Sequence, residues 1–71
     1  GDQARFLELR ALYEQASASQ QLQDFPARAI VLAPRILAPE LRRKVSDMVG
    51  DAYAKMGKLE HAADAYRGIL R

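Results

Sequence analysis

The 71-residue chain has no cysteine, no tryptophan and a single histidine, His61. The absence of cysteine excludes disulfide frameworks, thiolate zinc sites and cysteine nucleophiles. One histidine cannot hold a metal by itself, and no nucleophile or glycine-rich phosphate loop accompanies it. We therefore expect no cofactor, no metal site and no enzymatic activity. His61 has carboxylates nearby in Glu60 and Asp64, but we interpret it as a surface residue rather than a general base.

Long hydrophobic runs and a strong charge of one sign are also missing. Hydrophobic residues make up 49% of the chain, but each run is soon broken by a charged residue or a proline, which predicts no membrane insertion and no signal peptide. The 11 basic and 9 acidic residues leave a net charge of +2, too balanced to indicate nucleic-acid binding. The basic run from Arg42 to Lys44 is interpreted as a solvated helix face, with a phosphate or anionic-lipid contact as the alternative.

The length bounds the architecture. A chain of 71 residues forms one small domain at most, covering residues 1–71, and its apolar core is expected to be marginal or shared. The chain begins Gly1-Asp2 without a methionine and stops at Arg71 inside an apolar helical pattern. We therefore expect the natural protein to be longer, and the heavy use of alanine, arginine and leucine is typical of a bacterial source.

Apolar residues recur at helical spacing in the first half of the chain. A first helix is predicted from Asp2, as its N-cap, to about Ser19. A second helix is predicted to start at Asp24 as a cap, with Pro26 in its first turn. Pro34 lacks a backbone donor and is expected to end or kink this helix.

The second half of the chain has the clearest helical period. Pro39 is expected to open a third helix, and a fourth is predicted from about Lys58 to the end of the chain. The apolar stripe of the third helix is Leu41, Val45, Met48, Val49, Ala52, Tyr53 and Met56, so both methionines are expected in the core or an interface. The fourth helix is expected to bury Leu59, Ala62, Ala63, Tyr66, Ile69 and Leu70.

Two glycines punctuate these helices. Gly50 lies inside the third helix at a propensity cost of about 1 kcal/mol relative to alanine, so it is interpreted as a packing notch that lets a neighbouring helix approach while Tyr53 fills the gap beside it. Gly57 is expected to take a left-handed conformation and end the third helix. Two helices are therefore expected to cross closely and antiparallel.

This spacing of small and aromatic residues resembles the tetratricopeptide repeat (TPR), a helix–turn–helix unit of 34 residues. The residues that carry the resemblance are Val49, Gly50, Tyr53, Gly57, Ala62 and Tyr66. It implies an all-α fold of about four helices in two antiparallel hairpins, a TPR-like right-handed solenoid fragment. A degenerate repeat would span about 5–38 and a clearer one about 39–71. The implied function is a non-catalytic scaffold that binds a protein partner or peptide segment, or assembles a complex.

The resemblance also implies a peptide groove on the third helix. The groove candidates are Lys44, Asp47, Asp51, Ala54 and Lys55, and an ordinary solvated helix face is the alternative. Asp47 and Asp51 would favour a partner segment that carries lysine or arginine, and would repel the C-terminal carboxylate that some TPR domains clamp.

The last apolar residues predict a second kind of contact. A repeat of this family cannot bury its hydrophobic face alone, so we expect an assembly face at Leu59, Tyr66, Ile69 and Leu70. The hypothesis is a homo-oligomer formed through residues 59–70. The alternative function is an oligomerisation or spacer segment of a longer helical solenoid, without a ligand groove of its own.

Overall fold

Four α-helices and one short 3-10 helix make up the secondary structure of the computed structural model, which describes residues 1–71. There is no strand, so the all-α prediction is confirmed. The helices are α1 (Asp2–Ala18), α2 (Asp24–Leu32), α3 (Pro39–Lys55) and α4 (Leu59–Tyr66), with the 3-10 helix at Ala33–Arg35 after α2. None of the helices is both long and apolar enough to cross a membrane.

The first two helices form a hairpin packed on large side chains. The ring of Tyr13 meets the edge of Phe25 at a centroid distance of 5.2 Å. Arg28 lies 3.4 Å from Glu8. Tyr13 lies later in α1 than Glu8, whereas its partner Phe25 lies earlier in α2 than Arg28. The two helices therefore run antiparallel.

The last two helices form a second antiparallel hairpin. Tyr53, near the end of α3, has its ring 5.1 Å from that of His61 near the start of α4. Tyr66, at the end of α4, lies against Gly50 one turn earlier in α3. Ala62 and Ala65 are buried on the inner side of α4, so small residues let the two helices lie close together.

Helix α3 is the central element because it contacts α1, α2 and α4. Its predicted stripe faces the core: Val45, Val49 and Ala52 are fully buried, Tyr53 is buried, and Leu41, Met48 and Met56 pack partly buried against the core. The largest fully buried side chains of the whole chain are Phe25, Leu9, Ile36, Val45 and Val49. One continuous core therefore joins the two hairpins.

Three helices end in the same hydrogen-bonded turn, the Schellman motif, which needs a left-handed residue just after the helix. Gly57 ends α3 with φ of 78°, as predicted, and Gly68 ends α4 with φ of 88°. At α1 the left-handed residue is Gln20, with φ of 60°. Its neighbour Gln21 donates its backbone N–H to the carbonyl of Ala16 at 2.8 Å, which closes that turn.

The predicted extent of the fourth helix is wrong. It ends at Tyr66 rather than continuing to the end of the chain, because Gly68 turns the backbone left-handed and Ile69 donates its N–H to the carbonyl of Asp64 at 2.8 Å. Of the residues expected to be buried by this helix, Leu59, Ala63, Tyr66 and Ile69 are exposed and Leu70 is half-buried. Only Ala62 of that set is buried.

The predicted helix caps are also wrong, whereas the prolines act as expected. Gly1 and Gln23 occupy the N-cap positions that were assigned to Asp2 and Asp24. The Asp2 carboxylate instead accepts backbone N–H groups from Leu37 at 3.0 Å and Ala38 at 2.7 Å, immediately before α3. Helix α2 gives way to the 3-10 turn that contains Pro34, and Pro39 is the first residue of α3. Asp2 therefore joins the start of α1 to the start of α3.

Candidate functional site

The predicted groove residues lie on the outer side of α3. Lys44, Asp47, Asp51 and Lys55 are exposed, and Ala54 is half-buried. They recur at three- and four-residue steps, which places them along one side of a helix. The structure thus brings these side chains to one surface, between the edges where α3 meets α1 and α4.

On the α1 side, Lys55 reaches across to Tyr13. Its Nζ donates a hydrogen bond to the Tyr13 hydroxyl at 3.1 Å and lies 5.4 Å from the centre of the ring. This hydrogen bond, followed by the charge of Tyr13 when ionised, raises the pKa of Lys55. Lys55 therefore stays charged while it bridges the two helices.

On the α4 side, Tyr66 reaches across to Asp51. The Tyr66 hydroxyl donates a hydrogen bond to Oδ1 of Asp51 at 2.5 Å. This hydrogen bond, with partial burial and the negative charges of Asp51 and Asp47, raises the pKa of Tyr66 to about 12. The pKa is displaced upward, so the phenol is neutral at neutral pH and the bond is lost only in strong alkali.

Gly50 makes this contact possible. A Cβ at position 50 would lie 2.5 Å from Cε1 and 2.6 Å from Cδ1 of the Tyr66 ring. The prediction of a packing notch at Gly50 is therefore confirmed, but the aromatic residue that fills it is Tyr66 rather than Tyr53. Because the Tyr66 ring lies over Gly50, its hydroxyl reaches Asp51, the next residue of α3.

These contacts define a surface built from three helices, which we call the three-helix face. It consists of Tyr13 from α1, Asp47, Asp51 and Lys55 from α3, and Tyr66 from α4. Asp47 is 3.7 Å from Arg43 in an exposed pair, an interaction that contributes little stability. Its carboxylate is therefore available to another cation.

Lys44 lies toward the other end of the same side of α3. Its Nζ is 5.8 Å from the centre of the Phe6 ring, and the Arg10 guanidinium carbon lies 6.0 Å from the same ring. Lys44 is thus directed toward α1 and lies apart from the Tyr66–Asp51 contact.

The assembly-face candidates differ in how far they are exposed. Leu59 and Tyr66 are the first and last residues of α4, and both are exposed, at 70% and 40%. Ile69 follows the turn at Gly68 and is 46% exposed. Leu70 packs partly against the core instead.

The chain after α4 is held by Asp64. Its carboxylate accepts hydrogen bonds from Arg67 at 2.5 Å and from Arg71 at 2.7 Å. The Arg71 hydrogen bond is the main cause that lowers the pKa of Asp64, and the Arg67 bond adds to it. Since the folded pKa is depressed, this contribution to stability is present above the ordinary Asp range and is lost as the pH falls through the lowered pKa.

No family model, curated protein or solved structure matches this chain. No group of three or more histidine, aspartate or glutamate side chains is arranged to hold a metal ion, and His61 is exposed beside the ring of Tyr53. The three-helix face offers hydrogen-bonding groups of both charges and two tyrosines. Such side chains can form hydrogen bonds, ion pairs and apolar contacts with a ligand.

Two features of this site were not predicted from the sequence. Tyr13 was not among the candidate site residues, although a half-buried tyrosine can keep its hydroxyl at the surface. The basic run was treated as one face, but successive helical residues are about 100° apart. Arg43 accordingly donates to the Tyr66 carbonyl at 2.8 Å, and Arg42 donates to the Ile36 carbonyl at 3.1 Å, while Lys44 lies by Phe6.

Proposed function

We propose that this chain is a TPR-like protein-interaction module that binds a segment of a partner protein without catalysis. Two antiparallel hairpins support the proposal, because α3 of the second hairpin packs against both helices of the first and small residues lie where α3 crosses α4. The left-handed Gly57 that ends α3 agrees with the spacing on which the resemblance depends.

The observation that carries the proposal is the three-helix face. Lys55 with Tyr13 and Asp51 with Tyr66 fix two tyrosines at its edges by hydrogen bonds of 3.1 Å and 2.5 Å. Tyrosine is enriched at protein interfaces because it presents an apolar ring and a polar hydroxyl at a low cost in conformational entropy. A surface with side chains already held in place loses less entropy on binding.

The negative charges on this face indicate which kind of partner segment it can bind. Asp47 and Asp51 lie one turn apart on α3, and Asp51 uses Oδ1 for Tyr66. Its second oxygen and the Asp47 carboxylate can accept charged donors from a ligand. A partner segment that carries lysine or arginine, with apolar residues between, therefore fits this face.

The test is a titration of the protein with a short blocked peptide of alternating lysine and leucine, followed by amide chemical shifts. We expect the largest shift changes around Asp51 and Tyr66. The double variant Asp47→Asn/Asp51→Asn should weaken binding about tenfold, roughly 1.4 kcal/mol, and it retains an oxygen acceptor for the Tyr66 hydroxyl. Added salt should weaken binding further.

The matched control is Glu8→Gln/Glu60→Gln, which removes the same charge from exposed positions outside this face. It should change the affinity less than about twofold, because distant surface charges are screened. Equal weakening by both double variants, or shift changes away from α3, would show that the peptide recognises only net charge and would refute the proposed face.

A second candidate function is self-association, favoured by the exposure of Leu59 and Ile69 at 70% and 46%. In this proposal the chain is an oligomerisation or spacer segment of a helical solenoid. Sedimentation equilibrium over a wide concentration range tests it. A dimer that is abolished by Leu59→Glu/Ile69→Glu, but not by Val31→Glu/Leu37→Glu, would support it, and a monomer at all concentrations would refute it.

A further inference from the structure

A groove lies on another side of the molecule, where the end of α2 meets the start of α3 and the turn after α4. Two adjoining hollows of about 260 Å³ and 220 Å³ share Arg42 and Gly68 as lining residues. We call them together the arginine groove. The residues that line only the larger hollow are Ile30, Ala33, Pro34 and Leu70, and those that line only the smaller one are Pro39, Arg43 and Ser46.

The groove has one apolar end and one basic end. Ile30, Ala33 and Leu70 provide aliphatic surface in the larger hollow. Arg42 and Arg43 provide two positive charges in the smaller one, and no acidic residue lines either hollow. Arg43 also lies 3.7 Å from Asp47 in the exposed pair described above, which contributes little and leaves its other donors free. The groove therefore differs in charge from the three-helix face, where two aspartates lie beside Lys55.

Both arginines are held in place by backbone carbonyls. Arg42 donates from Nε to the carbonyl of Ile36 at 3.1 Å, and Arg43 donates from one terminal nitrogen to the carbonyl of Tyr66 at 2.8 Å. A guanidinium group has five N–H donors, so each keeps donors for a ligand. Because these anchors restrict the side chains, less entropy is lost when a carboxylate binds.

The open, two-part shape of the groove suits an extended segment of a chain. The larger hollow alone lies below the range of roughly 300–1,000 Å³ that is usual for pockets of drug-sized ligands. It is open and continues into the basic hollow through Arg42. An apolar side chain in the first hollow and a carboxylate in the second would occupy both at once.

We propose that the arginine groove binds an acidic segment of a partner protein, with an aliphatic side chain beside Ile30 and Leu70 and a carboxylate on Arg42 and Arg43. The charge complementarity between the two arginines and an acidic segment identifies the occupant. Nucleic acid would use the basic end alone, since the apolar end offers no aromatic surface on which a base could stack.

The test is a titration with a short blocked peptide of alternating glutamate and leucine, followed by amide chemical shifts. The largest changes should surround Ala33, Arg42 and Gly68. The variant Pro34→Glu places a carboxylate at the exposed rim and should weaken binding about tenfold through like-charge repulsion. Its matched control, Pro34→Gln, makes the same change of backbone and size without the charge and should change the affinity less than about twofold.

A second pair of variants tests the arginines. Arg42→Gln/Arg43→Gln should abolish measurable binding of the peptide, whereas Arg5→Gln/Arg10→Gln on α1 lowers the net charge equally and should leave most of the affinity. Circular dichroism verifies that each variant remains helical. If the Arg42→Gln/Arg43→Gln variant is unfolded, the comparison of Pro34→Glu with Pro34→Gln still tests the proposal.

Three outcomes would overturn this proposal: no binding of the glutamate–leucine peptide, shift changes centred on the three-helix face, or a single-stranded oligonucleotide that binds the groove more tightly than the peptide. Its failure is distinguishable from failure of the proposed function. The lysine–leucine peptide reports on Asp51 and Tyr66, and the glutamate–leucine peptide reports on Arg42 and Gly68.

Discussion

The two hairpins reach the same antiparallel arrangement by different packing. The first, α1 with α2, relies on large side chains: Leu9 and Phe25 are fully buried, and Tyr13 packs edge-on against Phe25 at 5.2 Å. The second, α3 with α4, relies on small residues, since Gly50 lies directly under the ring of Tyr66. Removing volume should therefore damage the first hairpin most, and adding volume should damage the second.

The comparison also explains where the sequence is most informative. In the second hairpin, close approach requires glycine or alanine at defined intervals, so the spacing is visible in the sequence. In the first, many combinations of large apolar residues fill the same space. The half of the chain with the clearer spacing of small residues is the half whose packing tolerates fewer residue types.

The largest expected effect is that of Phe25→Ala. Phe25 is 0% exposed, and truncation of a buried phenylalanine costs about 3–5 kcal/mol, a large share of the roughly 5–15 kcal/mol that stabilises a small domain. Urea denaturation followed by circular dichroism should show unfolding at a much lower urea concentration than in the natural chain. Val31→Ala in the same helix, where the side chain is 61% exposed, is the control and should cost little. Equal costs for the two variants would contradict the burial of Phe25 in the core.

A smaller effect, of opposite sign, is expected at the end of α1. Gln20 is the only non-glycine residue with positive φ, and the left-handed conformation costs an L-residue roughly 1–2 kcal/mol. Gln20→Gly should raise the free energy of unfolding by about 1 kcal/mol, because the glycines that end α3 and α4 pay no such cost. Thermal and urea denaturation measure it.

The control for this prediction is the neighbouring residue. Gln21 does not have positive φ, so Gln21→Gly should lower stability through the greater freedom of the unfolded chain. A loss of stability in Gln20→Gly would mean that α1 ends in a different turn from those of α3 and α4.

Much of the fold follows from local rules that the sequence displays. Helical period and the prolines at positions 34 and 39 located the helices, and Gly57 located the end of α3. Gly68 carried the same signal, but the apolar residues Ile69 and Leu70 beyond it suggested a longer helix. In the structure the left-handed turn at Gly68 prevails, and Leu70 reaches the core after the helix has ended.

The remaining features depend on contacts between distant residues. The hydrogen bonds from Leu37 and Ala38 to Asp2 join residues at least 35 positions apart, and nothing local distinguishes such a carboxylate from a helix cap. The choice of Tyr66 over Tyr53 for the notch at Gly50 likewise depends on how α4 crosses α3. The three-helix face also depends on contacts between distant residues, because Tyr13, Asp51 and Tyr66 meet only after three helices have packed.

The contact of Tyr66 with Gly50 is central to this account, since it closes the second hairpin and brings the Tyr66 hydroxyl to Asp51. The most direct test is the effect of Gly50→Ala on the free energy of unfolding, measured by urea denaturation in two backgrounds. Alanine is the better helix former by about 1 kcal/mol, but in the natural sequence its Cβ would lie 2.5 Å from the Tyr66 ring and displace it from Asp51.

We predict that Gly50→Ala lowers stability in the natural chain and raises it by about 1 kcal/mol when Tyr66 is also replaced by alanine. The difference between the two backgrounds is the coupling between the notch and the ring. If Gly50→Ala stabilises both chains equally, the Tyr66 ring does not lie in the notch, and this account of the second hairpin and of the three-helix face is contradicted.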